Sequence, residues 1–414
     1  MSAPEVLPIL SSLFDRLVLQ TSPIVSPTRY PVGVRLTCRP LDDGPFAYSE
    51  IVVSLGPVLA QLAPMPMLLS APGATLDGDL AEMDVPPALR LEVPVAQVLQ
   101  PDTLPLLRVM RARGLRLALE GIPHEPLPAE CLDFFDCSVI SHPEDRRYAL
   151  PADDKLRRRI PFNTIGIESV ADASSAFARG ARAVIGWPVR DTTMLRPKGL
   201  TAEQSVILQI IQLVRREAPA HEIESCLKKD PALAFALLKL VNSPAFGVSR
   251  QITSFQQALL LLGYEKLQRW LGLLLVNGTR EPELAPLAMY SITRGFLLDH
   301  LQYLVPQELR DDLFLTGAFS MLDRLTGKSF AELLESGVLS EPTARALTRT
   351  DGPMVPYLEL AVVAEQNDPK RVERRLQRLG ITPAQFNHAV LRTILSVFTA
   401  TSPAHTPAGK AHAH

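Results

Sequence analysis

The sequence predicts an α/β domain followed by an all-helical one, and three observations point there. At 414 residues the chain exceeds what one compact core holds, so two domains of ordinary size are expected. Of its 37 prolines, 24 fall in residues 1–200 and 13 thereafter, and frequent proline suits short loops between many short elements. Short β-type runs alternate with helical ones in the first half, whereas strand patterns disappear from Leu200 onward.

The β-type runs are Val32–Cys38, Met67–Ser70, Leu89–Val95, Leu115–Leu119, Ser138–Ser141, Thr164–Glu168 and Ala183–Trp187. Helical patterns lie between several of them, including Leu104–Arg113 and Val170–Ala178, the latter followed by Gly180 as a stop signal. This order implies a parallel sheet covered by helices, either a barrel or an open sheet; periodicity alone does not choose. Ile51–Leu76 lacks Asp, Glu, Lys and Arg, yet Pro57, Pro64, Pro66 and Pro72 interrupt it, so a helix followed by a buried strand is expected there.

Beyond Leu200 the signals are helix caps. Thr201 with Gln204 and Ser254 with Gln257 have capping-box spacing. Asp230-Pro231, Asp368-Pro369 and Thr382-Pro383 each set a capping side chain before a proline at the first helical position. The reading places an α/β domain at 1–189, a linker at 190–199, a helical domain at 200–398 and a disordered tail at 399–414.

With 47% hydrophobic and 21% charged residues the chain has the composition of a folded soluble protein. A formal charge of -2 gives no global attraction to nucleic acid or anionic lipid, so neither nucleic-acid binding nor membrane insertion is expected. Basic runs at Arg157–Arg159 and Lys370–Arg378 read as solvated helix faces, with a phosphate-binding patch as the alternative. Cys38, Cys131, Cys137 and Cys226 lack paired spacing and read as core residues of a cytoplasmic protein. The N-terminus shows no signal-peptide pattern.

The second half contains DPALAFALLKLVNSPAFG from Asp230 to Gly247, ITSFQQALLLLG from Ile252 to Gly263, and LQRWL from Leu267. These runs closely resemble the HDOD domain, an all-helical relative of HD phosphohydrolases without their metal ligands. The first half resembles a shortened, degenerate EAL domain, a barrel that hydrolyses cyclic di-GMP. The resemblance thus implies an α/β barrel joined to an all-α domain. Where the family carries Glu-x-Leu-x-Arg, this chain has Arg35, Leu36, Thr37, Cys38 and Arg39. The family's Glu-x-x-Glu falls on Glu92 and Val95, its paired aspartates on Glu120 and Gly121, and its Lys-x-Asp on Val139 and Ser141. A later Glu-x-x-Glu falls on Ile165 and Glu168, and Gly186-Trp187 resembles the Gly-Tyr of the last strand.

The chemistry so implied is metal-assisted phosphodiester hydrolysis, in which oxygen ligands hold hard cations that activate water. Arg35 sets a permanent cation where the first ligand would be, and Val95, Gly121, Val139, Ser141 and Ile165 remove further ligands. The expectation is therefore a chain that is not an enzyme and holds no cofactor or metal. Arg35 is expected to pair with Glu92 or Glu120, and Arg39 is a candidate anion holder. The leading function is an adaptor that binds other signalling proteins through both domains. The alternative is an effector that binds cyclic di-GMP weakly; self-association into a homodimer is left open.

Other motifs are decoys. No His precedes Asp, and Asp299-His300 has the reverse order. His221-Glu222 has Ser225 where a second ligand belongs, and Gly327-Lys328-Ser329 lacks the first glycine of a P-loop. In the HDOD-like motif, Asp230, Asn242, Ser243 and Gly263 are the candidate interaction residues. Helix termination is the plainer account of Asn242 and Ser243, since Asn tolerates the left-handed conformation and Pro244 cannot continue a helix.

Overall fold

Seven strands fall on the β-type runs of the sequence, and an eighth precedes them. They are β1 (Leu17–Val25), β2 (Pro31–Pro40), β3 (Met67–Ser70), β4 (Leu89–Pro94), β5 (Arg116–Glu120), β6 (Cys137–Ser141), β7 (Phe162–Ile165) and β8 (Ala183–Ile185). The computed structural model describes residues 12–401 apart from 63–64, 129, 146–158, 192–199, 243–251, 253, 279–280 and 349–350. Ser243 and nearly all of the expected linker at 190–199 lie outside the described residues, as do Arg157 and residues 402–414.

The eight strands close into a barrel in chain order. Neighbours from β2 to β8 run parallel, while β1 is antiparallel to both β2 and β8. The expected parallel sheet holds for the seven strands read from the sequence, and β1 adds an antiparallel strand that was not expected. β1 reads poorly as a strand because Gln20, Thr21, Ser22 and Pro23 sit at its centre. Its two-sided burial removes the alternation that marks a half-exposed strand. The last two strands end earlier than expected, at Ile165 and Ile185, each before a glycine with positive φ (Gly166, Gly186).

Four helices accompany the strands among the described residues: α1 (Tyr48–Leu62), α2 (Val95–Val98), α3 (Thr103–Ala112) and α4 (Val170–Ala178). A helix and then a strand fill the apolar stretch as expected, but Pro57 lies inside α1 rather than breaking it. Ser169 and Asp172 form the capping box that starts α4. Inside the barrel, Ile24, Leu68, Ala118, Cys137, Val139, Ala183 and Ile185 form an apolar plug contributed from strands around its wall.

The remaining helices are α5 (Ala202–Arg215), α6 (Ala220–Leu227), α7 (Pro231–Val241), α8 (Phe255–Asn277), α9 (Ala285–His300), α10 (Arg310–Ala318), α11 (Leu322–Thr326), α12 (Phe330–Glu335), α13 (Glu341–Thr348), α14 (Val355–Ala364), α15 (Pro369–Leu379) and α16 (Pro383–Thr401). Among the described residues no helix is long and apolar enough to cross a membrane. Residues 399–401, expected in the tail, are the last of α16. The Thr201–Gln204 capping box and the Asp230 and Asp368 caps are all present. Gly327 ends α11 in the left-handed conformation rather than closing a phosphate loop.

The chain forms two compact units, and their membership differs from the expected helical domain at 200–398. Val363–Leu391 groups with the barrel, whereas Arg196–Val362 and the residues from Arg392 form the helical unit. The physical reason is Asn387, fully buried on α16. Its Nδ2 donates to the carbonyls of Phe14 (2.9 Å) and Leu17 (2.7 Å), and its Oδ1 accepts the Leu19 N–H at 2.8 Å. One side chain thus satisfies three backbone groups where β1 enters the barrel.

In the helical unit α9 and α10 meet backbone to backbone. A Cβ on Gly317 would lie 2.6 Å from the Arg294 carbonyl carbon and oxygen, and one on Gly295 would lie 3.1 Å from Ala318 Cβ. Two substitutions test these contacts. Asn387→Ala should lower stability by about 2–4 kcal/mol in urea unfolding, because it strands buried backbone groups. Gly317→Ala should lower it by about 1–3 kcal/mol through overpacking. A change below ~0.5 kcal/mol in either would contradict the packing described.

Candidate functional site

Because β2 to β8 run parallel, their C-terminal ends open on one face of the barrel, where such folds place polar side chains. Arg35 projects from β2 into a cluster at this mouth. Its Nε donates to Glu92 Oε1 at 2.8 Å, and its Nη2 donates to Glu92 Oε2 at 2.5 Å. The same Nη2 reaches Ser70 Oγ at 3.0 Å and Glu120 Oε1 at 3.1 Å. Arg35 is buried and Glu92 completely so; the Glu120 side chain keeps 25% of its exposure. The Tyr48 hydroxyl donates to the Glu92 backbone carbonyl, tying α1 to β4.

Electrostatics within the cluster follow from these positions. Burial works against the Arg35 charge, but Glu92 and then Glu120 outweigh it and hold its pKa above the ordinary value. Burial, then repulsion by Glu92, raises the Glu120 carboxyl above the ordinary range, against the pull of Arg35 and Arg39. Arg39 lies further along β2 and is half-buried. Burial and the Arg35 charge lower its pKa, partly offset by Glu120, and its Nε is buried with no hydrogen-bond partner among the described residues.

Arg35, Arg39, Glu92 and Glu120 therefore come together as the sequence placed them, and Arg35 pairs with both glutamates rather than one. Glu168 does not join them. It is exposed in the segment after β7, beyond Gly166. Val139 and Ile165 belong to the apolar interior, and Val95 is buried at the start of α2. Ser70 and Tyr48 were missed by sequence reasoning. Ser70 had a usable signal, since it ends a β-type run and shares a strand face with Leu68.

A divalent ion, which the EAL resemblance implies for intact relatives, does not fit this residue set. The two converging carboxylates are already paired with Arg35, which occupies the space between them. No group of three or more His, Cys, Asp or Glu side chains able to hold a metal occurs among the described residues.

The HDOD-like residues frame α7 rather than forming one site. Asp230 Oδ1 accepts the N–H groups of Ala232 (3.0 Å) and Leu233 (3.1 Å) at its start. At its end Asn242 donates to the carbonyls of Leu238 and Ile252, both at 2.8 Å, and accepts the Ile252 N–H at 2.7 Å. Asn242 has φ -88°, so loop closure, not a left-handed backbone, is its role. Gly263, with φ 76° and ψ 165°, breaks α8. Phe235 on α7 and Leu260 on α8 are exposed.

Removing the central cation tests the cluster. Arg35→Met leaves the buried Glu92 carboxylate unpaired and should lower stability by about 3–5 kcal/mol at pH 7. The deficit should shrink towards acidic pH, because Glu120, raised above the ordinary carboxylate range and no longer held by Arg35, protonates there and stops repelling Glu92. Glu120 adds its own sign. Its folded pKa is raised, so the folded state binds more protons, and wild-type stability should fall as pH rises above the ordinary carboxylate value. Melting curves from pH 4 to 8 read both effects; a pH-independent deficit in Arg35→Met would contradict the pairing.

Comparison with known proteins adds to this geometry. Residues 200–317 match the family model of the HDOD domain. The cyclic di-GMP phosphodiesterase CdgJ of Vibrio cholerae is 28% identical over 192 residues, covering 45% of this chain and 44% of that protein. The uncharacterized protein YuxH of Bacillus subtilis is 21% identical over 228 residues, covering 52% of this chain and 56% of that protein. The chain thus spans about half the length of these curated relatives. Among solved structures, BlrP1 of Klebsiella pneumoniae in a calcium and cyclic di-GMP complex aligns with TM-score 0.31 at 15% identity, covering 42% of this chain and 55% of that one. The cyclic di-GMP complex of the PaMucR phosphodiesterase gives the same TM-score and identity, covering 42% and 90%. The expectation that the chain is not an enzyme is corrected by the Vibrio relative, which is itself named a phosphodiesterase. The helical region thus matches the HDOD domain over residues 200–317, and part of the chain is similar to a protein named a cyclic di-GMP phosphodiesterase.

Proposed function

We propose that this chain is a signal-transduction protein of cyclic di-GMP signalling, in which an EAL-like barrel receives the nucleotide and the HDOD domain docks other signalling proteins. The observation that carries the reading is Arg39, half-buried at the barrel mouth with a buried Nε that lacks an acceptor among the described residues. Arg35 is neutralised by Glu92 and Glu120, so Arg39 is the guanidinium of the cluster left to meet an incoming anion. A phosphate oxygen would supply the missing acceptor and a charge-assisted bond. The motif remnants support the same assignment, since Arg35 to Arg39 occupy the span of the family's Glu-x-Leu-x-Arg. The polar-framed helix α7, between Asp230 and Asn242, with Phe235 exposed, supports protein docking by the helical unit.

Hydrolysis of cyclic di-GMP is the second reading, and the name of the Vibrio relative is what favours it. Isothermal titration of cyclic di-GMP into the full chain tests the first. The expected result is saturable binding that weakens at least tenfold, about 1.4 kcal/mol, in Arg39→Gln. Absence of binding, or equal affinity in the variant, would count against the assignment of Arg39. Linear product formed in the presence of Mg²⁺ or Mn²⁺, and abolished by chelation, would establish the second reading.

A further inference from the structure

We propose that the solvent face of α15 is a docking surface for an acidic protein segment, a role independent of the nucleotide reading above. Along its 11 residues α15 carries Lys370, Arg371, Arg374, Arg375 and Arg378 against the single carboxylate Glu373. The whole chain has a formal charge of -2, so this density of one sign is local.

The arrangement is ordered. Lys370, Arg374 and Arg378 repeat every fourth residue and are exposed. At ~1.5 Å rise per residue their Cα atoms advance about 6 Å per step along one side of the helix. Among the described residues none of the three has an ion-pair partner. Arg371 is engaged by Gln366 Oε1 at 2.7 Å, and Arg375 is half-buried. A merely solvated face would interleave signs. Here Lys370/Arg374, Arg374/Arg378 and Arg371/Arg375 are like-charge i, i+4 pairs, each of which destabilises the helix. The helix holds despite them because its ends are secured: Asp368 Oδ1 accepts the Arg371 N–H at 3.0 Å, Pro369 opens it, and Gly380 closes it with φ 66°.

The chemistry selects the partner. Of the apolar residues of the stripe, Val372 and Leu376 are buried and Leu379 half-buried, so the helix offers too little to insert between lipid tails. Nucleic acid is disfavoured by the net negative chain and by the absence of any aromatic residue on α15 for stacking. A partner helix with carboxylates every fourth residue repeats the same ~6 Å step and meets each cation in turn. Since α15 is already rigid, little ordering opposes docking.

The test uses the full chain and a fluorescent synthetic helix bearing glutamate at every fourth position. Its anisotropy is read at ~50 mM and ~150 mM salt, because surface electrostatics weaken as the screening length shortens. The expected result is salt-sensitive binding that weakens at least tenfold in the triple variant Lys370→Gln/Arg374→Gln/Arg378→Gln. Binding should be unchanged in Arg108→Gln/Arg113→Gln, whose cations are already paired with Glu130 and Glu82. The triple variant should melt no lower than wild type, since it relieves repulsion. No binding by wild type, or equal binding by the triple variant, overturns the proposal. Tighter binding of phosphatidylserine vesicles or of a short DNA duplex, lost in the triple variant, overturns it in favour of lipid or nucleic acid.

Discussion

The guanidinium of Arg35, held between Glu92 and Glu120, is the constraint on which the barrel mouth depends. Two carboxylates at the same end of a closed barrel repel each other and lose hydration, and a buried charge without a partner is strongly destabilising. Arg35 resolves this by facing both, with Ser70 taking part of its remaining donor capacity. The geometry is only available if β2 is fixed in register with β3, which sets Arg35 beside Leu68 and Thr37 beside Ser70. β1 fixes the other edge of β2, pairing Ser22 with Arg35, and Asn387 fixes β1. A chain of backbone and side-chain contacts thus runs from α16 to the charged mouth, all within one unit.

Much of this was legible in the sequence, for identifiable reasons. Strands buried under helices keep apolar runs bounded by proline and glycine, so β2 to β8 showed themselves. β1 did not, because a polar centre and a proline mask a strand whose pairing comes from both neighbours. Arg35, Arg39, Glu92 and Glu120 were legible through the resemblance, which set motif positions on readable strands; position on a strand would not have found Arg35, in the middle of β2. Glu168 was misplaced because Gly166 turns the chain after Ile165, before the expected strand had ended. Asn387 had no local signal at all: its partners lie 368 to 373 residues away, beyond any window of periodicity.

The helical unit teaches a related point about motifs. The runs that resemble an HDOD domain are largely a description of how α7 begins and ends. Asp230 caps it, and Asn242 closes the loop to Ile252, so the polar residues within the apolar pattern serve the frame. What the frame leaves outside includes the exposed Phe235 and Leu260. On the barrel the lesson runs the other way. Replaced ligand positions describe those positions alone, and the Vibrio relative carries the name of a phosphodiesterase.

Arg35 and Glu92 act as one unit at the barrel mouth, and a double-mutant cycle measures their coupling. Arg35→Met, Glu92→Leu and the double variant would be unfolded in urea at pH 7. Arg35→Met should destabilise by about 3 kcal/mol or more, since it leaves the buried Glu92 unpaired, and Glu92→Leu by less, since Glu120 and Ser70 still hold the guanidinium. The double variant should recover most of that loss, giving a coupling energy of roughly 2 kcal/mol or more. Losses that simply add, with the double variant the least stable of the three, would contradict it.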